Sequence, residues 1–362
     1  MRARPILFSL AALLPLLLLG CSPTPNTAPA PEKPHPLPRA VKPAPRVEKP
    51  QTFELPHDHI WGREVKLGEF RVRAIDRYWA GPETRTLTLE EALDAKVCTI
   101  RETGISQSVV AEVTGKQPVL LLTGDLLVGG RQDRLVARSV MLEPGTTVVP
   151  VFCAEISRWT AEDAKYDPLF KCDAGSPQAD LNVKAAMFQQ GTQPAVWSAI
   201  SQVNGTLDAP DPNGTGAYRH AFEKPKTQTA IDVMVAKGRK VMDTFTVGFA
   251  VYRGDGLVAA DLFDSTLLLR KVADKLLRGY AMTAVYGDVT NWKIEKTETP
   301  AEPDRAPAPK TERPPRTAPG TFDPPPKPLG EFQQDGTLRF ECRRQPDAHP
   351  IHTGIFRGRA KP

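Results

Sequence analysis

The sequence predicts an α+β fold: clustered, mostly antiparallel strands, several helices, and a long helix closing the folded domain. Two observations carry that prediction. Strand-like and helix-like runs come in separate groups along the chain instead of alternating, which argues against a parallel α/β sheet. The long apolar runs lie between residues 52 and 295, with proline-rich tracts on either side. Residues 22–50 hold ten prolines and residues 300–328 hold eleven. Such segments bury too little surface to offset their ordering entropy, so both ends are expected to be disordered. The predicted organisation is a lipoprotein signal peptide at 1–20, a proline-rich stalk at 21–51, and a single α+β domain at 52–295. A proline-rich linker at 296–330 and a short C-terminal segment at 331–362, a possible hairpin, complete it.

The elements follow in order. FRVRAI (70–75), VCTIRE (97–102), SVVAEV (108–113) and PVLLLT (118–123) are short β-rich runs punctuated by Gly, Thr and Pro. TLEEALDAK (88–96) predicts a helix, with Thr88 at the cap position and Glu91 three residues on, a capping-box pattern. Helical patterns run through DLNVKAAMFQQ (180–190), QPAVWSAISQV (193–203) and TQTAIDVMVAK (227–237). TFTVGFAVYR (244–253) and GLVAADLF (256–263) predict a hairpin about Gly254-Asp255. Asp264 is expected to cap a long helix reaching about Val285, with Leu269, Val272, Leu276 and Tyr280 on its apolar stripe. Arg270, Asp274 and Arg278 are spaced for i, i+4 pairing on its polar face. EFQQDGTLRFECRR (331–344) suits a small hairpin turned at Asp335-Gly336. A lone hairpin is barely stable in water, so this segment either docks on the domain or stays loose.

The first twenty residues, MRARPILFSLAALLPLLLLG, set two arginines before a nearly unbroken apolar stretch, the anatomy of a secretory signal. Leu18-Leu19-Gly20-Cys21 resembles the bacterial lipobox. The resemblance implies lipidation of Cys21 and a stable membrane anchor. Ser22 stands where an inner-membrane retention signal would place Asp, so the expected location is the cell envelope, at the outer membrane and facing the periplasm or the cell surface. The formal net charge of +5 belongs to the ends of the chain. Residues 52–295 carry 28 Lys and Arg against 31 Asp and Glu, a net of −3. That balance offers no nucleic-acid face, and the membrane is the expected partner, reached through Cys21. The other cysteines are Cys98, Cys153, Cys172 and Cys342. An extracytoplasmic compartment permits disulfides and leaves their pairing open, while Cys98 and Cys153 fall in apolar strands where a buried thiol is the usual state. No CxxC pair and no His–Cys ligand spacing is present, so no metal site is expected.

The candidate site comes from one predicted fold-back. RLVARSVMLEPGTTVVPVFCAE reads as two strands joined at Glu143-Pro144-Gly145-Thr146, a turn suited to Pro and Gly at its centre. If residue 143 faces 146, Arg134 lies opposite Glu155 and Val136 opposite Cys153. Pro150 argues for an edge strand or a bulge. The fold-back brings GGRQDR and EISRW to one rim, gathering Arg131, Gln132, Asp133, Arg134, Glu155, Arg158 and Trp159. Arginine offers a fork for phosphate, a carboxylate accepts sugar hydroxyls, and an indole offers a stacking face. The cluster therefore suits a small phosphorylated or sugar ligand. The competing reading is a structural ion network lidded by Trp159. Asp261 and Asp264 in DLFDS, and Tyr218 and Arg219 in TGAYRHAF, are second-tier candidates. For the aspartates the plainer account is a helix cap at Asp264 and an arginine partner for Asp261.

With these residues in view, the chain resembles the bacterial family called ARG and rhodanese-phosphatase superfamily associated protein domain. The resemblance covers roughly 65–286. It is carried by LTLEEALDAKV (87–97), PVLLLTGDLLVGGRQDRLVARSVMLEPGTTVVPVFCAEISRW (118–159), VWSAIS (196–201), TGAYRHAF (215–222) and LVAADLFDSTLLLRKVADKLLRGYAM (257–282). The family name implies a connection to ADP-ribose or NAD metabolism and brings no catalytic mechanism. The chain has no GxSxG elbow, P-loop, HExxH or strand-borne GxGxxG, so no reaction and no cofactor is assigned. Two functions compete: a lipid-anchored domain that binds a ligand or partner, and an enzyme acting on an ADP-ribose-like or phosphorylated ligand.

Overall fold

The computed structural model describes residues 54–79, 85–158, 167–172, 178–286, 331–332, 337–343 and 350–357. Two antiparallel strands come first, β1 (His59–Leu67) and β2 (Phe70–Arg77), then β3 (Leu87–Thr88) and helix α1 (Leu89–Asp94). A run of short strands follows: β4 (Cys98–Glu102), β5 (Ser108–Val113), β6 (Val119–Leu121), β7 (Leu126–Gly129), β8 (Arg134–Val136), β9 (Val140–Leu142), β10 (Gly145–Cys153) and β11 (Phe170–Lys171). Helices α2 (Leu181–Gln189), α3 (Gln193–Thr206), α4 (Arg219–Glu223) and α5 (Pro225–Gly238) precede the hairpin of β12 (Thr246–Arg253) and β13 (Gly256–Phe263). The long α6 (Thr266–Tyr286) closes this part, and β14 (Glu331–Phe332), β15 (Thr337–Arg343) and β16 (Pro350–Arg357) come from the C-terminal segment.

The fold is α+β, as the segregated patterns predict. A seven-stranded sheet runs β1-β2-β12-β13-β16-β15-β14, a six-stranded sheet β11-β7-β8-β10-β5-β4, and a three-stranded sheet β3-β6-β9. Every pairing is antiparallel except β3 with β6. The main core gathers side chains of the seven-stranded sheet with α2, α3, α5 and α6, including Phe70, Phe249, Phe188, Ile200, Leu276 and Tyr280. A second core gathers Leu89 of α1 with Ile100, Val109, Leu121, Leu127 and Val151 from the other two sheets. α1 carries the predicted capping box: Glu91 N–H donates to Thr88 Oγ1 at 3.2 Å, and Thr88 N–H donates to Glu91 Oε2 at 2.9 Å. The hairpin about Gly254-Asp255 forms as expected.

Three local expectations are corrected. The ribbon joined at Glu143–Thr146 is not one hairpin. β8 pairs with β10 in the register Arg134↔Cys153, Leu135↔Phe152, Val136↔Val151, two residues away from the expected one. The chain bends at Ala137 and Arg138, and β9 leaves to pair with β6. Gly145–Pro150 of β10 pairs with β5, and Val151–Cys153 pairs with β8. Pro150, which has no N–H to give, therefore sits where β10 changes partners. A two-residue slip keeps every side chain on its expected face, whereas a one-residue slip would have reversed them.

The second correction concerns α6. Its first turn is capped by Ser265, whose Oγ accepts from Leu267 N–H at 3.2 Å, because the helix starts one residue later than the cap at Asp264 requires. In the third, the polar face of α6 pairs outward instead of along itself: Asp274 binds Arg239, Arg278 meets Asp232 at 2.8 Å, and Arg270 reaches the Asp243 carbonyl at 3.2 Å. A packed neighbour offers fixed partners, and these replace the weaker i, i+4 pairs of an isolated helix.

The C-terminal segment docks. β16 pairs along β13 from Ala259↔Phe356 to Phe263↔His352, and β15 and β14 extend the sheet beyond it. Cys98, Cys153, Cys172 and Cys342 are all buried free thiols.

Candidate functional site

The rim residues meet, in the corrected register. β7 ends in Gly129, and Gly130 follows it, both at positive φ (127° and 55°). A Cβ on Gly130 would lie 2.4 Å from the Phe170 ring and 2.6 Å from Glu102 Oε1, so glycine alone lets the loop pass this close. Arg131 N–H then donates to Glu102 Oε1 at 3.0 Å. The ladder continues one step beyond β8 and β10 through Ala154 N–H to the Asp133 carbonyl, 2.8 Å. Glu155 accordingly lies across from Gln132, whose Nε2 donates to the Glu155 carbonyl at 3.3 Å. Its Oε1 accepts from Asp133 N–H at 3.3 Å, and its Oε2 accepts from Arg158 Nε at 2.6 Å.

Three arginines hold this cluster together. Arg134, fully buried, donates to Glu102 Oε1 at 3.2 Å, Gln132 Oε1 at 3.1 Å and Cys153 Sγ at 2.9 Å. Arg158 bridges Glu155, Asp133 (3.1 Å) and the Gly129 carbonyl (3.2 Å). Arg219, at the start of α4, reaches Asp133 at 3.1 Å. Gln132, Asp133, Arg134 and Glu155 are buried, while Arg158 and Arg219 keep 29% and 25% of their side chains exposed. The exposed edge of the cluster is thus cationic and its floor anionic. Burial pushes the Asp133 carboxyl up to about 7, helped by the charge and hydrogen bond of Glu155 and opposed by Gly129 N–H and Arg219. Burial likewise raises the Cys153 thiol to about 11, which keeps it protonated beside Arg134.

Residues 62–317 match the family described as ARG and Rhodanese-Phosphatase-superfamily-associated Protein domain. The chain belongs to this family. No curated protein and no solved structure matches it. The family match encloses the whole arginine–carboxylate cluster and stops short of β14.

The other sequence candidates fall in different places. Trp159 lies outside the described residues. Arg219 joins the cluster, but Tyr218 next to it points into the core, where its hydroxyl donates to Asp180 Oδ2 at 2.8 Å and accepts from Asp180 N–H at 2.9 Å. Asp180 is the N-cap of α2, so Tyr218 braces that cap. Asp264 stands apart, its carbonyl bonded by Arg77 at 3.0 Å, and burial raises its carboxyl to about 6 against the pull of Arg77.

Asp261 belongs to a second polar network, unforeseen in the sequence, which joins the family domain to His352 beyond its end. Its partners are His352 Nε2 at 2.9 Å and the Tyr280 hydroxyl, not an arginine. Burial works to raise the Asp261 carboxyl, but the His352 hydrogen bond, the charges of Lys184 and His352, and Tyr280 outweigh it and hold it at about 2. Nearby, Lys184 Nζ donates to Gln178 Oε1 at 2.8 Å, and Gln178 Nε2 donates to Asp125 Oδ1 at 3.0 Å. Lys275 Nζ closes the row against Asp125 Oδ2 at 3.0 Å and Glu90 Oε1 at 2.9 Å. Burial lowers the Lys184 ammonium, which meets these acids only at a distance, whereas Asp125 and Glu90 in direct contact raise that of Lys275. A small cavity lined by Thr123, Lys184, Asp261 and His352 has room for about one water molecule. The sequence does carry a trace of this network, because Lys275 interrupts the apolar stripe of Leu268, Val272 and Gly279 on α6. Glu102 carries no comparable signal, since nothing in VCTIRE tells its carboxylate from a solvent-facing one. Among the described residues, no group of three His, Cys, Asp or Glu side chains is arranged to hold a metal ion.

Proposed function

We propose that this chain is a lipid-anchored protein of the bacterial envelope, tethered through Cys21, whose α+β domain binds a ligand or partner and does no chemistry at its arginine cluster. The observation that carries the non-catalytic part of this reading is the internal pairing of that cluster. Arg134, Arg158 and Arg219 each already engage a buried carboxylate among Glu102, Asp133 and Glu155. A phosphate would have to displace one of these carboxylates and leave it buried without its countercharge, a penalty of about 3–5 kcal/mol. The anchor rests on the signal anatomy and Leu18-Leu19-Gly20-Cys21, and the proline-rich stalk would carry the domain away from the bilayer. Outer-membrane sorting rests on Ser22.

The second reading, an enzyme acting on an ADP-ribose-like or phosphorylated ligand, has one observation in its favour. Asp133, held at about 7 beside Glu155 and under two partly exposed arginines, lies in the range suited to a general acid or base. Two experiments test these readings. Cys21→Ser should release the protein from the membrane fraction, and a variant that stays wholly membrane-bound would sink the anchor. Thermal-shift screening of the full mature chain against ADP-ribose, nucleotides and sugars addresses the pocket. A true ligand at a hundred times its Kd should add about 2.7 kcal/mol. Turnover of any of them would overturn the non-catalytic reading, and silence from all of them would remove the enzyme.

A further inference from the structure

The last three strands meet the rest of the domain as a peptide meets its receptor. Residues 287–330 separate α6 from β14, a stretch of 44 positions with eleven prolines, and the family match ends inside it at residue 317. β16 adds to the edge of β13 through backbone pairing, the geometry by which sheets recognise extended peptides. Side chains supply the selectivity. His352 enters between two elements of the body, with Nε2 on Asp261 Oδ1 at 2.9 Å and Nδ1 on Ser139 Oγ at 3.1 Å. Its ring stacks on Phe263 at 4.6 Å between centroids. Phe340 and Phe356 close on Phe188 of α2 at 4.9 Å and 5.5 Å. Gly354 is required between them, since a Cβ there would fall 1.8 Å from the Phe340 ring.

The order Ser139–His352–Asp261 is also that of a nucleophilic triad. Two observations favour a latch. Ser139 and Thr123 are tied to each other, Ser139 Oγ accepting Thr123 N–H at 3.0 Å and Thr123 Oγ1 accepting Ser139 N–H at 2.8 Å. The adjoining cavity admits about one water and no substrate.

We propose that the β13 edge, with Asp261, Ser139, Phe263 and Phe188, is a binding site for an extended peptide that presents an imidazole at one position and an aromatic ring four residues on. β14, β15 and β16 fill it in cis, and the same strands of a second copy of this chain fill it in trans. A tether of this kind gives an effective concentration in the millimolar range, so the cis form wins in dilute solution. Exchange between copies follows where they are crowded or where the tether is cut. This goes beyond the binding role proposed above and does not depend on the membrane anchor or on the arginine cluster.

The test begins with a protease-cleavage sequence placed between residues 304 and 310 of the full mature chain. After cleavage, body and fragment should still co-elute. A fluorescent peptide of residues 331–357 should then replace the fragment saturably, with exchange brought to completion by unfolding and refolding in urea. The same peptide with His352→Ala should bind at least about tenfold more weakly. This substitution sits on the peptide, so misfolding of the body cannot mimic its effect. Cleaved bodies mixed with intact, differently labelled chains should form a pair carrying the intact chain's segment. Three outcomes overturn the binding site: a body that loses its cooperative unfolding once the fragment leaves, no peptide uptake, or equal binding of both peptides. Peptide uptake without any pair overturns the second-copy claim.

Discussion

Asp133 and Asp261 are both buried aspartates, and the protein drives them in opposite directions, Asp133 up to about 7 and Asp261 down to about 2. Burial acts upward on both, so depth does not explain the split. The neighbours do. Asp133 faces a second carboxylate, Glu155, and its arginines, about a quarter exposed, are shared with Glu155 and Glu223. Asp261 faces only donors: the His352 ring, the Tyr280 hydroxyl and the charge of Lys184. The rim thus sets acids against one another over partly exposed cations, whereas Asp261 is surrounded by donors alone. Asp133 therefore responds to pH near neutrality, while the core network depends on the one buried ammonium of Lys275 that Glu90 and Asp125 share.

The largest effect is expected in the core network. Lys275→Met leaves Glu90 and Asp125 buried without the ammonium that touches both. Removing one partner of a buried ion pair typically costs about 3–5 kcal/mol, read as a large fall in the midpoint of chemical denaturation. A loss below about 1 kcal/mol, the range of exposed pairs, would mean the network tolerates the charge imbalance and would erase the contrast with the rim.

Next in size is the pH response of the rim. The folded-state pKa of Asp133, about 7, lies above its ordinary value of 3.8, so folding takes up a proton between those limits. The stability it contributes is full below about pH 4 and is lost as pH rises through about 7. Denaturation free energy should therefore fall between about pH 4 and about pH 7 by an amount on the order of a few kcal/mol, and Asp133→Asn should flatten that slope. An equal slope in both proteins would assign the response to some other group.

Much of the fold was legible because it is local. The capping box at Thr88 and Glu91, the turn at Gly254-Asp255 and the apolar stripe of α6 each follow from residues a few positions apart. The rim cluster was legible for a less secure reason. The observed β8–β10 register differs from the expected one by two, and because the side-chain period of a strand is also two, the polar groups still converge. What stayed hidden depends on distant partners. Glu102 enters the cluster only because β4 ends against the 130s loop, and His352 reaches Asp261 across 91 positions of chain. Ser265 displaced Asp264 as the cap by a single residue, a margin that sequence patterns do not resolve.

The smallest predicted change separates charge from structure at the rim. Arg219 contacts Asp133 at 3.1 Å and keeps a quarter of its side chain in solvent, so solvent screening reduces what the pair contributes. Arg219→Gln should cost about 1 kcal/mol or less in stability near neutral pH. Its effect on titration should be easier to see. Arg219 lowers the Asp133 pKa, so removing its charge must raise it, and the upper end of the pH-dependent stability loss should move above about 7. Denaturation curves collected at closely spaced pH values give both quantities from one variant. An upper end that stays put while stability falls would make Arg219 a packing residue with no electrostatic hold on the acid it touches.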